Sequence, residues 1–134
     1  MSVDEILKSI KSVAIVGLSP DESKASNAVA KFLKQEGLKI YPIYPKEDEI
    51  LGFKVYRNLS DISEDIDMVV MFRKGEFATT LVEEVIKAGV KTLWLQLGIT
   101  NEAAKKRAQE AGINFVEDRC IKIEIQRLKN GIVK

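Results

Sequence analysis

The sequence predicts an α/β protein of three layers, with a mainly parallel sheet of about five or six strands between two layers of helices. Three observations carry that prediction. Short runs of consecutive apolar residues, such as Val13-Ala14-Ile15-Val16, read as strands buried on both faces. Between them lie segments with one apolar stripe at helical spacing. Glycines at 37, 89 and 112 each end such a helix just before the next apolar run, the arrangement of a C′ glycine in repeated βα units.

Taken in order, Ser2-x-x-Glu5 is a capping box, and Ile6, Leu7 and Ile10 form the stripe of a short leading helix. The first strand covers Ser12–Val16 and is stopped by Gly17, Ser19 and Pro20. A helix beginning near Ser26 places Ala25, Ala28, Val29, Phe32 and Leu33 on one face and ends at Gly37. Leu38 to Ile43 is the second strand, closed by Pro42 and Pro45. Lys54–Tyr56 reads as a short strand and Asp67–Phe72 as a clearer one. Glu76–Ala88 is a helix with Phe77, Leu81, Val82 and Val85 inward, followed by the strand Lys91–Leu95. Asn101 caps a helix carrying Ala104, Ala108 and Ala111, and Ile113–Val116 follows Gly112 as the last strand. Cys120–Leu128 fits two periods: Ile121, Ile123 and Ile125 alternate, whereas Ile121, Ile125 and Leu128 share a helical face. The helix is the favoured reading, with a loose tail from Lys129 to Lys134. No linker or repeat divides the chain, so residues 1–134 are read as a single Rossmann-like domain.

Lys and Arg number 21 against 20 Asp and Glu, a net charge of +1 that argues for neither nucleic acid nor a membrane surface. The apolar runs are too short to span a bilayer, and the first twelve residues lack the pattern of a signal peptide; a cytoplasmic location is expected. One cysteine, Cys120, and no histidine exclude an internal disulfide, cysteine–histidine zinc sites and every histidine-based triad.

In an open α/β sheet, ligands sit beyond the carboxyl ends of the strands, where strand order reverses. The expected rim is therefore Gly17–Asn27, Tyr44–Lys46, Phe72–Glu76, Gln96–Thr100 and Glu117–Lys122. Strand Ser12–Val16, the Gly17 loop and the following helix have the form of a phosphate site, with backbone N–H groups and a positive helix end converging. A dinucleotide fingerprint would need glycine at 17, 19 and 22, but serine and glutamate occupy the last two. After the second strand, where a carboxylate would hold a ribose 2′-hydroxyl, stands Lys46. A lysine there favours a phosphorylated ribose, which suits NADP or coenzyme A and not NAD. Against this, Lys46 opens the charged turn Lys46-Glu47-Asp48-Glu49 and is equally at home in solvent.

The chain resembles the small stand-alone coenzyme A-binding proteins, whose domain is similar to the nucleotide-binding part of succinyl-CoA synthetase α subunits. The resemblance runs from about Lys11 to Leu128 through VAIVGLSP (13–20), PIYPK (42–46), ILGFKVYRNLSDI (50–62), MVVMFRK (68–74), LWLQLGI (93–99) and DRCIKIE (118–124). It departs at Tyr44, where asparagine is frequent, and in the Asp21–Lys24 loop, where arginine is common. The resemblance implies that Gly17, Leu18 and Ser19, with the helix start at Ser26 and Asn27, hold the pyrophosphate of coenzyme A, assisted by Lys24. It implies that Pro45 and Lys46 take the adenosine end, with Lys46 near the 3′-phosphate. Phe72 and Arg73 would line the adenine and phosphate channel. Gln96, Gly98, Asp118, Arg119 and Lys122 would close the far side.

No electrophile, metal cluster or base–nucleophile pair accompanies Asp118 and Glu124, so the sequence reads as a coenzyme A-binding or acyl-CoA-binding protein without evident catalysis of its own. The alternatives are an NADP-binding subunit of an oxidoreductase and a thiol redox sensor using Cys120, flanked in sequence by Arg119 and Lys122. A lone cysteine more often packs as a small hydrophobe. The expected partner is a small molecule, with no nucleic acid and no membrane, on a monomer or homodimer.

Overall fold

The computed structural model describes residues 1–131. Five strands form one all-parallel sheet: β1 (Ser12–Val16), β2 (Lys39–Ile43), β5 (Met68–Met71), β6 (Thr92–Leu95) and β7 (Asn114–Val116). Their order is β2-β1-β5-β6-β7. β3 (Glu49–Ile50) and β4 (Phe53–Lys54) make a separate antiparallel hairpin. The helices are α1 (Val3–Ser9), α2 (Ala25–Gln35), α3 (Ala78–Ala88), α4 (Glu102–Ala111) and α5 (Ile121–Lys129).

Alternate residues of each strand enter opposite layers. Val13 and Ile15 of β1, with Met68 and Val70 of β5 and Trp94 of β6, meet Ile6 and Leu7 of α1, Val29 and Leu33 of α2, and Ile121 and Ile125 of α5. Ala14, Val69, Met71, Leu93 and Leu95 turn to the other face, against Leu81, Val82 and Val85 of α3 and Ala104 and Ala108 of α4. This is why the strands read as unbroken apolar runs: both faces are covered.

Local signals act as expected at several ends. Ser2 and Glu5 complete their capping box at 3.2 and 2.8 Å. Asn101 Oδ1 accepts the Ala104 N–H at 2.8 Å, and α3 and α4 end on left-handed Gly89 and Gly112. Three boundaries differ. Pro42 lies inside β2 rather than closing it. β2 is the edge strand, and the Pro42 carbonyl faces outward to accept the Tyr56 N–H at 2.8 Å, so the missing proline N–H costs no ladder bond. The expected strand at Lys54–Tyr56 is instead the end of the small hairpin, tied to the sheet by one parallel bridge between Ile43 and Tyr56. Glu76 and Phe77, expected to open the third helix, belong instead to a separate 3-10 turn, Gly75–Phe77, before α3. The C-terminal segment is helical through Lys129, the residue expected to open a loose tail; residues 132–134 of that expected tail lie outside the described part.

Candidate functional site

Strand order reverses between β1 and β5. From β1 the chain passes through α2 to β2 on one side, then crosses by the hairpin to β5 on the other. The connections of these two neighbours therefore leave in opposite directions, and a cleft of about 740 Å³ opens above their carboxyl ends. Its walls are Val16 and Gly17 after β1, Ile43, Tyr44 and Pro45 after β2, Phe72 to Lys74 after β5, Glu76 and Phe77 before α3, and Arg57.

Gly17 is required by its surroundings. Its φ is +86°, and a Cβ would sit 3.0 Å from the Phe72 carbonyl oxygen and 3.1 Å from Arg73 Cγ. The backbone of the first loop thus lies directly against the β5 end, with its N–H spent on the Ile43 carbonyl at 2.9 Å.

The rest of the loop is built from its own polar groups. Ser26 Oγ accepts the Ser19 N–H at 3.0 Å, and Asn27 Nδ2 donates to the Ser19 carbonyl at 2.9 Å. Ser19 Oγ accepts the Asp21 N–H, and Asp21 Oδ1 accepts both the hydroxyl and the N–H of Ser23. Those bonds from the Ser23 hydroxyl, then from its N–H, hold the Asp21 carboxyl below the usual range. Ser26 and Asn27 are buried, so their side chains brace the loop from within. Asn27 Oδ1 has no donor. Lys24 is the N-cap of α2, whose first amides have no side-chain acceptor. Leu18 is fully buried in the α2 layer, because the chain turns inward there to start the crossover.

Of the residues expected from the sequence, Gly17, Pro45, Phe72 and Arg73 line the cleft. Lys46 is exposed on the adjoining turn. Gln96, Gly98, Asp118 and Arg119 meet one another at the ends of β6 and β7, away from the cleft wall. Gln96 Oε1 accepts the Ile121 N–H at 3.0 Å and so caps α5; Asp118 Oδ1 accepts the Gly98 N–H at 2.7 Å. The Arg119 carbonyl accepts the Trp94 indole N–H at 2.8 Å, and its guanidinium reaches Glu124 at 3.5 Å. Lys122 stands 5.7 Å from the Phe32 ring centroid, between α5 and α2. Cys120 is half-buried at the N-cap of α5.

Sequence reasoning missed Arg57 and Phe77. Arg57 Nη1 donates to the carbonyls of Tyr44 and Lys46 at 3.1 Å and of Glu47 at 2.9 Å, gathering the turn after β2 around one guanidinium. Phe77, assigned to the core by its helical spacing, is 39% exposed and lies under the Arg73 guanidinium at 3.8 Å from its ring centroid. The 3-10 turn rotates it out of the α3 stripe. Among the described residues there is no cluster of metal-ligating side chains, and no helix is long and apolar enough to cross a membrane.

Comparison with known proteins identifies the family and the fold. The family model described as CoA binding domain matches residues 11–126. The chain is 36% identical over 121 residues to the uncharacterized protein YneT of Bacillus subtilis, covering 90% of each chain. It is 46% identical over 81 residues to an ADP-forming acetate–CoA ligase of Methanocaldococcus jannaschii. That match takes in 60% of this chain and only 12% of the ligase, so the chain corresponds to a small part of such enzymes. A solved structure of a hypothetical protein from Pyrococcus horikoshii OT3 superposes with a TM-score of 0.89 at 37% identity, covering 96% of both chains. The NADP-subunit and thiol-sensor alternatives gain no support from these relatives. A five-stranded parallel sheet flanked by five helices, a cleft at its reversal point and a family match over nearly its whole length establish that this chain belongs to the coenzyme A-binding domain family.

Proposed function

We propose that the protein binds coenzyme A, or an acyl-CoA, across the carboxyl end of the sheet and has no catalytic group of its own. The observation that carries this reading is the cleft itself: a glycine with no room for a side chain faces two arginines without carboxylate partners, over the point where strand order reverses. Its volume is in the range of small-ligand sites.

In this reading the pyrophosphate lies against the Gly17–Ser19 loop and the uncapped first turn of α2. There the Ala25 and Ser26 amides, which precede the first intrahelical bond, and the helix dipole favour an anion, and Lys24 adds an exposed charge, while the Gly17 and Ser19 amides are spent within the protein. The bracing by Ser26 and Asn27 matters as preorganisation: the loop holds its shape without help from a ligand. Pro45 and Lys46 border the adenosine end, and Phe72 and Arg73 form the opposite wall. The Gln96, Gly98, Asp118, Arg119 and Lys122 group shapes the far side of the rim through its internal bonds. Gln96 Oε1, Asp118 Oδ1 and the Arg119 carbonyl are engaged with the protein and contribute form, which leaves the Arg119 guanidinium and the Lys122 ammonium as the groups there able to reach a ligand.

Isothermal titration calorimetry tests the reading. Coenzyme A is expected to saturate a single site, and NADP, under the same conditions, to bind at least tenfold more weakly. Absence of heat with coenzyme A up to about 1 mM, the level at which binding energy falls to about 4 kcal/mol, would overturn it.

A further inference from the structure

Three of the five arginines, Arg107, Arg119 and Arg127, are paired with glutamates. Among the described residues Arg57 and Arg73 have no carboxylate within 4.0 Å, and these are the two that line the cleft. They also border a side chamber of about 160 Å³ that opens beside it. The chamber floor is apolar: Val16, Ile43 and Met71 from the strand ends, with Leu59 and Leu81.

Both guanidiniums are held in place with donors to spare. Arg57 spends only Nη1 on the three carbonyls, and its Nε and Nη2 have no protein acceptor among the described residues. Arg73 lies over the Phe77 ring, and a guanidinium stacked by its face keeps its hydrogen-bonding edges free. Glu84 is the one acid lining the chamber and Glu76 the one lining the cleft, where Lys74 offsets it. Two exposed cations against one carboxylate, over an apolar floor, favour an anion with several acceptor oxygens. The chamber has room for a tetrahedral oxyanion, at roughly 30 Å³ for each water displaced.

We propose that Arg57 and Arg73 form a two-guanidinium anion subsite, beside the glycine loop, that takes a phosphate monoester. The phosphate is either the one on the ribose of bound coenzyme A, in which case the subsite rests on the function proposed above, or a free phosphate. Arg57 also holds the carbonyl of Lys46, so occupancy of the subsite steadies the turn that carries Lys46. That turn includes Glu47 at a φ of +68°, a conformation a glutamate rarely adopts and one that Arg57 helps to impose.

Two measurements on the whole chain test the proposal. In the first, inorganic phosphate is titrated while backbone amide shifts are followed. Shifts are expected at Leu59, Arg73 and Phe77, weakened about tenfold in Arg73→Met. This arm needs no coenzyme A and so separates failure of the subsite from failure of coenzyme A binding. In the second, calorimetry compares coenzyme A with its form lacking the 3′-phosphate. A tenfold preference that Arg73→Met abolishes and Lys46→Ala reduces by threefold or less would place the ribose phosphate in the subsite. Equal affinities, with phosphate still shifting these amides, would support the subsite with free phosphate as its occupant. Arg73 is the variant of choice because its side chain touches only the Phe77 ring among bonded partners, whereas Arg57→Met also removes the donor that gathers the turn; Arg57→Lys keeps the charge. Phosphate shifts confined to Gly17–Ser26, together with no effect of Arg73→Met in either measurement, would overturn the proposal.

Discussion

The two halves of the sheet's carboxyl rim are built from similar residues and used in opposite ways. At the β6–β7 end the polar groups are spent on one another: Gln96 on the α5 start, Asp118 on Gly98, Trp94 on the Arg119 carbonyl, Arg119 on Glu124. At the β1–β5 end the loop backbone is also hydrogen-bonded, yet Arg57 and Arg73 retain unused donors and a buried acceptor, Asn27 Oδ1, has no partner. Position at a strand's end does not by itself decide whether a polar group is left free for a ligand. What distinguishes the two halves is residual bonding capacity, and that is where a ligand gains energy rather than displacing existing bonds.

Breaking the joint between the halves should have the largest effect. Gly75 lies at that joint: its carbonyl accepts Asn101 Nδ2 at 2.8 Å, and a Cβ would collide with the Thr100 carbonyl oxygen. That oxygen is backbone and has little freedom to retreat. Gly75→Ala should destabilise the fold by about 3 kcal/mol, the upper end for overpacking, lowering the thermal midpoint by about 10 °C. A midpoint within about 2 °C of the parent would show that the two loops move independently.

A smaller effect is expected from the spent half alone. Gln96 is 5% exposed and its Oε1 is the acceptor at the α5 start. Gln96→Leu should cost about 2 kcal/mol in chemical denaturation, by orphaning the buried Ile121 N–H, while coenzyme A affinity changes less than threefold. A large loss of affinity with little loss of stability would reverse the comparison and make Gln96 a ligand contact.

The smallest effect belongs to the loop itself. The Asp21 carboxyl is held below its ordinary value of 3.8 by hydrogen bonds from Ser23, so the ionised form is favoured in the folded state. Its contribution to loop order is complete above that ordinary value and is lost as pH falls through the lower folded value. Hydrogen exchange at the Ser23 amide should rise, relative to its intrinsic rate, only below about pH 4, and Asp21→Asn should remove this dependence. An unchanged profile in the variant would mean that Asp21 does not organise the loop.

Much of the fold was legible because it rests on short-range chemistry. The apolar run Val13–Val16, the Ser2 and Asn101 caps and the glycines after α2, α3 and α4 act within a few residues of themselves. The C-terminal segment shows the limit. Ile121, Ile123, Ile125 and Leu128 satisfy both periods, and helix is selected by the Gln96 cap and by burial of Ile121 and Ile125, which leaves Ile123 47% exposed. In the site, Gly17 and the β5 end were readable from strand, glycine and turn signals. Arg57 was not, since ILGFKVYRNLSDI gives no sign that a hairpin will fold it back against the turn after β2. Phe77 had the right spacing for the core and was turned outward by a 3-10 turn that periodicity does not resolve.

The sequence by itself determined the layer order, the parallel sheet and the glycine loop, because periodicity, caps and left-handed glycines are decided over spans of a few residues. Only the tertiary structure decided which rim residues keep free donors. Parallel crossovers bring together groups such as Gln96 and Ile121, or Arg57 and Lys46, and whether a polar side chain finds a partner depends on those distant meetings rather than on its own neighbours in the chain.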